Sequence, residues 1–314
     1  MILLYQGEAP DANFYYHSGV DIDHAFLLMD GKRKTLLVHE MNAAIARATF
    51  PGRIVVYKDA MATLAKLLRR KTVFYDSDAI SVHLFSRLKS ICRFKDHSQE
   101  LARMRVVKSQ VEVSKIAKAA RCAKEILESL ELKKGMTELD VKKQLLLATL
   151  ENGLEISFEP IVATDLDSSF PHSHAGKKKL GSILLVDFGV KYDHYCSDLT
   201  RCFILDGDRK KKEQYERLKD ICWFIADSLP QMSKGSEVSA LADDLMAKAG
   251  FPKMIHSIGH GVGLEVHEHP GLGPKSIDPI GNTTMAIEPA FYLSRYGMRY
   301  EETVFNDGKK ARVL

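Results

Sequence analysis

The feature that most constrains the fold is a set of polar side chains embedded in apolar, strand-like sequence. Asp187 follows three aliphatic residues in LLVDFGV, Glu288 lies in AIEPAFY, and Glu301 lies in MRYEETVF. Asp198 comes eleven residues after Asp187 in YCSDLTR, and His260 is flanked by glycines in GHGVG. A carboxylate that is buried with its strand costs free energy unless it is paired, hydrogen-bonded or bound to a metal. The fold must therefore bring compensating charge to these positions.

Divalent cations are the compensation that this residue set favours. Any one of the five residues alone is compatible with a purely structural role, but four acids brought together would repel one another and stay mostly protonated. Carboxylates with one imidazole favour hard or borderline ions such as Mn²⁺ or Co²⁺ over a thiolate zinc site, with Zn²⁺ and Fe²⁺ as alternatives. Five ligands are enough for two ions about 3.5–4 Å apart, a spacing at which two metals activate one water.

The first part of the chain, to about residue 103, alternates strand-like and helix-like segments. Short apolar and β-branched runs predict strands at 25–29, 35–40, 53–58 and 72–77. Helical periodicity predicts helices at 41–50, 60–70 and 79–90. Strands that alternate with helices in this way are typical of a small α/β layer domain.

A second domain is predicted from about residue 104 to residue 314. Ser109 with Glu112 and Thr137 with Asp140 have the spacing of capping boxes, and Gly153 is placed to end the second helix. Helices are also predicted at about 209–229 and 237–249, and strands at 156–164, 182–190, 196–205, 283–293 and 298–306. Strands that cluster on either side of paired helices indicate an α+β arrangement.

Two segments of this second domain resemble each other. GMTELDVKKQLLLATLENG and GSEVSALADDLMAKAG both run from a glycine through a helix start and a helix to a second glycine, and a strand-like segment follows each. If this similarity is an internal repeat, the domain consists of two related halves that meet at a central site.

Composition and charge exclude several classes of protein. Net charge is +4, and the basic runs at 67–71, 176–180 and 208–214 are expected to cap helices or lie on solvated faces, so no nucleic-acid partner is predicted. The five cysteines are scattered and form no C-x-x-C pair, which favours a reduced, cytoplasmic protein. No apolar run is long enough to span a bilayer, and the amino terminus lacks a signal-peptide pattern, so no membrane association is expected.

In this order, the motifs VDFGVKYDHYCSDLTR, GHGVGLEVHEHPG, AIEPAFY and MRYEETV resemble those of the prolidases, aminopeptidase P and methionine aminopeptidases. The resemblance covers essentially the whole chain, since NFYYHSGVDIDHAFLLM and MRVVKSQVEVSKIAKAA are similar to segments of the amino-terminal domain and of the entry to the catalytic domain. It implies an α+β protein in which a creatinase-like α/β domain, residues 1–103, precedes a pita-bread metallopeptidase domain, residues 104–314.

The resemblance also implies a metal-binding role for the five embedded residues. Asp187 and Asp198 would be ligands, the second of them bridging two divalent ions. His260 and Glu288 would bind the same ion, and Glu301 would bridge. Glu288 is also the candidate for moving a proton from water to the leaving nitrogen.

Three further residues match positions that handle substrate in this family. His267, in LEVHEHPG, matches the histidine that contacts the substrate carbonyl, and His172, in VATDLDSSFPHSH, matches a second active-site histidine that would hold substrate. Arg299 occurs in prolidases and aminopeptidase P but is usually absent from methionine aminopeptidases. It would bind a free substrate carboxylate or, alternatively, order the Glu301 strand by pairing.

The implied function is hydrolysis of Xaa-Pro dipeptides through a metal-bridging hydroxide, by a homodimer that contains two ions per subunit. The alternative is an aminopeptidase P that acts on longer Xaa-Pro peptides; the compact length favours the dipeptidase. A catalytically inactive peptide-binding relative is a further alternative, and so is a creatinase-like hydrolase without metals. Both are disfavoured because all five ligands are intact.

Some positions depart from the family pattern or stay open. Asp165, His194 and Ala290 stand where glycine is common, and Glu302 replaces a frequent aspartate. None of these changes removes a predicted ligand, so they bear on the shape of the subsites. Four histidines of the first domain are expected to be structural or on the surface: His24, His39, His83 and His97. The roles of His174, His256 and His269 are left open, and Cys196 is expected to be a small core residue.

Overall fold

The computed structural model describes residues 1–314, which divide into two units, Met1–Arg105 and Val106–Leu314. Strands of the first unit are β1 (Ile2–Gln6), β2 (Ala25–Asp30), β3 (Arg33–His39), β4 (Arg53–Tyr57), β5 (Thr72–Tyr75) and β6 (Arg93–Asp96). Its helices are α1 (Ala12–Ser18), α2 (Ala43–Thr49), α3 (Ala60–Leu68), α4 (Val82–Leu88) and α5 (Ser98–Met104).

The six strands form one mixed sheet in the order β4-β3-β2-β1-β5-β6. Its core lies on both faces, because alternate strand residues point to opposite sides. Leu3 packs in a cluster with Leu64 of α3, while its neighbour Leu4 packs in another cluster with Phe14 of α1. The sequence analysis missed β1 and β6. The sequence of β6, RFKD, is charged and mostly exposed, so it carries no hydrophobic signal.

The second unit combines four long helices with short strands. Its helices are α6 (Gln110–Glu128), α7 (Glu138–Glu151), α8 (Arg209–Ser228) and α9 (Gly235–Lys248). The strands of its first half are β7 (Glu155–Ile156), β8 (Ile161–Thr164), β9 (Ile183–Phe188), β10 (Val190–Tyr192), β11 (Tyr195–Cys196) and β12 (Leu199–Ile204). The strands of its second half are β13 (Gly259–Gly261), β14 (Glu268–Gly271), β15 (Thr283–Ile287), β16 (Ala290–Tyr292), β17 (Gly297–Arg299), β18 (Glu302–Asn306) and β19 (Ala311–Val313).

Both predicted capping boxes are present. Ser109 accepts a hydrogen bond from the Glu112 backbone at the start of α6, and Thr137 accepts one from Asp140 at the start of α7. In each box the acidic side chain bonds back to the backbone of the cap residue. Gly153 adopts a left-handed conformation (φ 66°) just beyond α7, as its predicted role in ending the helix requires.

The two halves of this unit repeat one arrangement. In the first half, α6 and α7 precede the antiparallel sheet β12-β9-β8; in the second, α8 and α9 precede β13, β15 and β18, which pair in that order. Isolated bridges, Thr137 to Lys179 and Lys234 to Pro279, precede the second helix of each pair. The internal similarity in the sequence therefore corresponds to two structurally equivalent halves, in which β9 matches β15 and β12 matches β18.

The core of the second unit lies on both sides of β9. Leu184 and Val186 pack in a cluster with the apolar faces of α6 and α7, whereas Ile183 and Leu185 pack in a cluster with α8 and α9. A strand that is buried on both faces reads as a continuous apolar run, which is why LLVDF predicted a buried carboxylate. None of the helices is both long enough and apolar enough to cross a bilayer.

The predicted strands differ from the observed ones in one consistent way. The runs at 196–205, 283–293 and 298–306 are each broken in two, at Ser197–Asp198, Glu288–Pro289 and Tyr300–Glu301. At each break the chain leaves one sheet and enters another. Asp198, Glu288 and Glu301 were expected within strands but lie at these breaks, whereas Asp187 lies within β9 and His260 within β13.

Candidate active site

The eight residues that the sequence analysis selected line one cavity of about 460 Å³ in the second unit. They are His172, Asp187, Asp198, His260, His267, Glu288, Arg299 and Glu301. Three of them, His172, Asp187 and Asp198, belong to the first half of the repeat, and the other five belong to the second half. The cavity therefore lies where the two halves meet.

Strand breaks explain how the acids reach this cavity. Asp198 precedes β12, Glu288 follows β15 and Glu301 precedes β18, so each acid stands where the backbone ladder of its sheet is interrupted. Asp187 and Thr200 are register partners between β9 and β12, which brings β9 beside the Asp198 break. Side chains at such breaks project into the space between sheets instead of into either core.

Carboxylate and imidazole atoms crowd together in this space. The ligand atoms of Asp187, Asp198 and Glu301 lie within 4.8 Å of one another, and so do those of His260, Glu288 and Glu301. A third group at this spacing consists of Asp198, His260 and His267. Glu301 and Asp198 each belong to two groups, so each of them could contribute ligand atoms to two neighbouring ions.

Electrostatics make this arrangement costly without added positive charge. Burial raises the pKa of Asp198 well above its usual range, and the nearby Glu301 and Asp187 raise it further. Burial, followed by Asp187 and Glu288, raises the pKa of Glu301 in the same way. Burial raises the pKa of Glu288 to about 7. Oδ1 of Asp187 and Oδ1 of Asp198 are buried without a hydrogen-bond partner, which is rare for carboxylate oxygens. These oxygens and the donor set fit divalent cations.

His260 presents a neutral nitrogen to the same space. Its Nδ1 lies 3.1 Å from the carbonyl oxygen of Gly261, which can only accept, so Nδ1 carries the proton. Its Nε2 lies 3.5 Å from Asp198 and 3.9 Å from Glu288. Burial, with the nearby His267, lowers the pKa of His260 to about 4. The imidazole is therefore neutral at pH 7, with a lone pair directed at the carboxylates, as metal ligation requires.

The glycines around His260 allow close backbone approach. A Cβ on Gly259 would lie 1.9 Å from the carbonyl oxygen of Ala286 in β15, and one on Gly261 would lie 2.2 Å from that of His269 in β14. Any side chain at either position would push β13 away from its neighbours. The glycines that flank the histidine in the sequence therefore belong to a strand that lies unusually close to both of its partner strands.

A buried ion pair lies beside His267. Lys108 Nζ is 2.6 Å from Glu268 Oε1, and the two side chains are 1% and 2% exposed. Lys108 also donates its backbone N–H to the carbonyl of Asn282, just before β15. The pair joins the segment before α6 to β14, and so helps to fix the loop from β13 to β14 that ends in His267. The His267 ring itself lies 4.1 Å from the ring of His260.

Arg299 is buried and bonded on three sides. Its guanidinium donates to Asp187 Oδ2, to the Tyr292 hydroxyl at 2.9 Å and to the Thr200 hydroxyl at 3.0 Å. Pairing was one of the two predicted roles, and the partner that Arg299 takes is Asp187. Since Oδ2 of Asp187 is taken by Arg299, its unpartnered Oδ1 is the atom available to a cation. The substrate-carboxylate role of Arg299 stays a prediction.

Several residues that support the ligands were missed by sequence reasoning. Thr200 donates to Glu301 Oε2 at 2.6 Å, and the Thr303 hydroxyl donates to the Asp198 carbonyl at 2.7 Å. Tyr292 lies between Arg299 and His256, with its hydroxyl 2.9 Å from His256 Nε2. Their roles depend on which strands pair and in which register, and no local pattern carries that information.

The histidines that were left open fall into two groups. His256 lines the cavity, with Nδ1 3.8 Å from Glu288, and burial lowers its pKa. His174 lines the cavity as an exposed side chain. His269 lies outside the cavity lining and pairs with Asp278 at 2.7 Å. Cys196 is fully buried, as expected of a core residue.

The departures from the family pattern have local structural explanations. Asp165 adopts a left-handed conformation (φ 49°), and its carboxylate accepts hydrogen bonds from Ser182 and Ile183, which ties the segment before His172 to the start of β9. His194 forms a tight turn with Asp193 between β10 and β11, both at positive φ. Ala290 is buried in β16, and Glu302 pairs with Lys124 and Arg201.

Comparison with known proteins gives consistent matches. Residues 114–306 match the model of metallopeptidase family M24. The chain is 27% identical to a Xaa-Pro dipeptidase of Pyrococcus furiosus over 98% of this chain and 91% of that protein. It is 33% identical to an uncharacterized peptidase of Methanocaldococcus jannaschii over 67% of this chain and 63% of that protein. A solved prolidase from Pyrococcus horikoshii superposes with a TM-score of 0.90 and 27% identity, covering 99% of this chain and 92% of that one.

Proposed function

The chain belongs to metallopeptidase family M24 and is a hydrolase with the family's α+β pita-bread fold, and on that premise we propose that it cleaves the bond before proline in Xaa-Pro dipeptides. The observation that carries the proposal is the convergence of four acids and one neutral imidazole in a single cavity with partly apolar walls. Xaa-Pro dipeptidase is also what the relative from Pyrococcus furiosus is called.

Two divalent ions, Mn²⁺ or Co²⁺, would be held by the five donors. The residues that would hold the ions are Asp187, Asp198, His260, Glu288 and Glu301. When bound, the ions would supply a water-derived nucleophile near neutral pH and Lewis acidity toward the scissile carbonyl. The oxygen-rich donor set supports Mn²⁺ or Co²⁺ over a metal that prefers thiolates.

Two histidines are placed to handle the substrate carbonyl. Burial lowers the pKa of His267, so its ring is neutral at pH 7 and offers one N–H donor. Donation from His267 would stabilise the carbonyl oxygen as it gains negative charge, which is a large contribution in acyl transfer. His172, an exposed side chain on the cavity wall, would hold the peptide in line with that donor.

Glu288 is the residue proposed to move the proton. Glu288 belongs to one of the ligand groups and lines the cavity, so its carboxylate would be within reach of both the metal-derived water and the leaving nitrogen. The nitrogen of an Xaa-Pro bond is a tertiary amide and has no proton of its own, so the leaving proline needs one delivered. Glu288 lies at the break between β15 and β16, on the same cavity wall as the other ligands.

The cavity offers a surface for a proline ring. Phe158, Pro160, Ile161 and Pro171 line it together with the polar residues. An apolar wall of this kind would favour a pyrrolidine ring over a charged side chain. The volume of about 460 Å³ lies within the range of sites for small ligands, which supports a short peptide as substrate.

A substrate panel tests this function. Full-length protein is stripped with a chelator, reloaded with Mn²⁺, Co²⁺ or Zn²⁺, and assayed with Met-Pro, Ala-Pro, Ala-Pro-Ala and Ala-Ala by quantifying the released amino acids. We expect rapid hydrolysis of Met-Pro and Ala-Pro with Mn²⁺ or Co²⁺, little hydrolysis of Ala-Ala, and none after chelation. A clear preference for Ala-Pro-Ala would replace the dipeptidase by an aminopeptidase P.

A matched pair of variants makes the assay specific to the site. Glu288→Gln keeps the shape of the side chain but can neither carry the proton nor bind a cation as a carboxylate, so turnover should be lost. Glu216→Gln, on the exposed face of α8, should behave as the unmodified protein. Failure of every metal form to cleave any proline-containing substrate would contradict the proposal and favour a peptide-binding relative.

A homodimer is proposed on family resemblance alone. Light scattering coupled to size-exclusion chromatography should give about twice the 35.3 kDa mass of the chain. A monomeric mass would contradict it and leave the proposed chemistry of the cavity unchanged.

A further inference from the structure

The excess of basic over acidic side chains in this chain is carried by two segments of the first unit. Residues 60–75 and 79–95 contain eight Lys and Arg residues and no Asp or Glu. The whole chain has 45 Lys and Arg against 41 Asp and Glu, so the remaining 281 residues hold 37 basic and 41 acidic side chains. Without these two segments the net charge changes from +4 to −4. The basic character of the protein therefore comes from this one region.

The fold brings these two segments to one edge of the six-stranded sheet. Helix α3 leads into β5 and α4 leads into β6, and β5 and β6 are parallel neighbours in which Thr72 is the register partner of Arg93. The α3–β5 and α4–β6 connections therefore lie side by side, at the same end of these two strands. There they line an open depression of about 540 Å³. We refer to it as the basic cavity, and its cationic lining residues are Arg69, Arg70, Lys71, Lys89 and Arg93.

No acidic side chain compensates this charge. The cavity lining contains no Asp or Glu, and none of the five cations takes part in an ion pair. The C-terminal ends of α3 and α4 do lie here, and a basic residue beside a helix C-terminus is ordinary. Each helix end, however, supplies only about half a negative charge, so about four of the five positive charges stay uncompensated. Helix capping alone does not account for the cluster.

We propose that the basic cavity binds a small molecule that carries two or more phosphate groups. The volume lies in the range of small-ligand sites. Three of the five cations are arginines, whose planar forks bind phosphate oxygens through paired hydrogen bonds. The hydroxyl of Thr72 lies in the same lining and supplies a neutral donor. A single phosphate would leave much of this positive charge unmatched, and so a multiply charged ligand fits better.

Titration calorimetry on the full-length, Mn²⁺-loaded protein tests this site. The probe is fructose 1,6-bisphosphate, with pyrophosphate in excess Mg²⁺ as a second probe so that metal stripping does not contribute. Vesicles that contain phosphatidylinositol bisphosphate distinguish a lipid headgroup from a free ligand, and a single-stranded oligonucleotide tests nucleic acid. We expect saturable binding of a bisphosphate, free or on a vesicle, at one site per chain.

The variants separate this site from general charge effects. Arg70→Glu with Arg93→Glu should weaken binding at least about tenfold, because two charge-assisted contacts are reversed. Lys210→Glu with Lys212→Glu changes net charge equally on the exposed face of α8 and should leave binding unchanged. Arg70→Ala with Arg93→Ala provides a milder variant if the reversed pair fails to fold.

Three results would overturn the proposal. One is the absence of saturable binding of any bisphosphate, another is an equal loss in the α8 control, and the third is binding of the oligonucleotide alone. None of these outcomes depends on peptide hydrolysis, so the basic cavity and the proposed peptidase function stand or fall separately.

Discussion

At the scale of single residues, Asp187 and Glu301 each give one carboxylate oxygen to a donor of the protein. Asp187 gives Oδ2 to Arg299 and leaves Oδ1 without a partner. Glu301 accepts from Thr200 through Oε2, and Asp198 leaves Oδ1 unpartnered. A buried carboxylate oxygen without a hydrogen bond costs free energy, so its persistence indicates a partner that the protein alone does not supply. A divalent cation is the partner that this donor set favours.

The first prediction concerns Asp198, which belongs to two of the three ligand groups. In Asp198→Asn the amide keeps the shape of the side chain but loses the charge that a cation requires. Loss of residues that merely orient ligands costs about 10–100-fold in metal affinity, so loss of this ligand should cost at least about 100-fold. Metal content by mass spectrometry and proline release from Met-Pro measure the effect.

The control for this variant is Asp220→Asn, on the exposed face of α8. It makes the same chemical change far from any ligand group and should keep full metal content and turnover. Retained turnover in Asp198→Asn, with the protein folded by circular dichroism, would show that Asp198 is not a ligand.

At the scale of elements, the site depends on strands that change sheets. Each of the runs that contain Asp198, Glu288 and Glu301 reads as one continuous strand, because it is rich in aliphatic, aromatic and β-branched residues. The interruption arises only where the chain passes from one sheet to the next, and there the acid points away from both cores. Prediction of the acids was therefore possible, whereas prediction of the breaks was not.

The second prediction concerns β13, which holds His260 between two closely approaching strands. In Gly259→Ala the new methyl group would meet the Ala286 carbonyl at 1.9 Å, so β13 must move away from β15. Overpacking of a buried site typically costs about 1–3 kcal/mol of unfolding free energy, and His260 should lose its position. Both the melting temperature and the Mn²⁺ content should fall.

Gly273→Ala is the matched control for this strand. Gly273 lies just beyond β14, a Cβ there meets nothing within 4 Å, and its φ is not in the left-handed region. Stability and metal content of this variant should be unchanged. If Gly259→Ala matched the control in both measurements, the close approach of β15 would not be what positions His260.

At the scale of the whole molecule, the acidic cavity couples metal binding to stability and to pH. Burial and mutual repulsion raise the pKa values of Asp198, Glu288 and Glu301 in the folded, metal-free protein above their ordinary values of 3.8 and 4.5. The folded state then binds more protons than the unfolded state as pH rises from about 4.5 to about 7. Unfolding free energy of the metal-free protein therefore falls across that window.

The third prediction follows from this fall in the unfolding free energy of the metal-free protein as pH rises. Because metal binding requires deprotonated ligands, the stabilisation by Mn²⁺ should grow from pH 5 to pH 7.5, in roughly the window where the metal-free protein loses stability. Scanning calorimetry of the metal-free and Mn²⁺-loaded forms at both pH values measures the difference in melting temperature. His17, whose pKa burial lowers to about 4, contributes stability that is lost as pH falls, but it does so in both forms and cancels in the difference.

The outcome that contradicts this prediction is a stabilisation by Mn²⁺ that does not change with pH. Asp198→Asn provides the internal comparison, since a protein that lacks this ligand should show little stabilisation at either pH. A pH-independent effect in the unmodified protein would mean that the acids are already ionised without metal.

Supporting contacts mark the limit of what the sequence predicted about the site. All eight selected residues line one cavity. They could be selected from the sequence because each one lies in an apolar run or in a recognisable motif. Tyr292, Thr200 and Thr303 were missed, although they hold Arg299, Glu301 and Asp198 in place. Hydroxyl residues in strands are common, and only strand register decides which of them meets a ligand.

The sequence by itself determined the family of this protein and the residues that line its cavity, because the motifs that contain them are local. It also determined both capping boxes and the repeated helix pairs, whose signals are local. Tertiary structure alone decided where the strands break and which partner Arg299 takes. Those features depend on contacts between residues far apart along the chain, and local patterns do not encode such contacts.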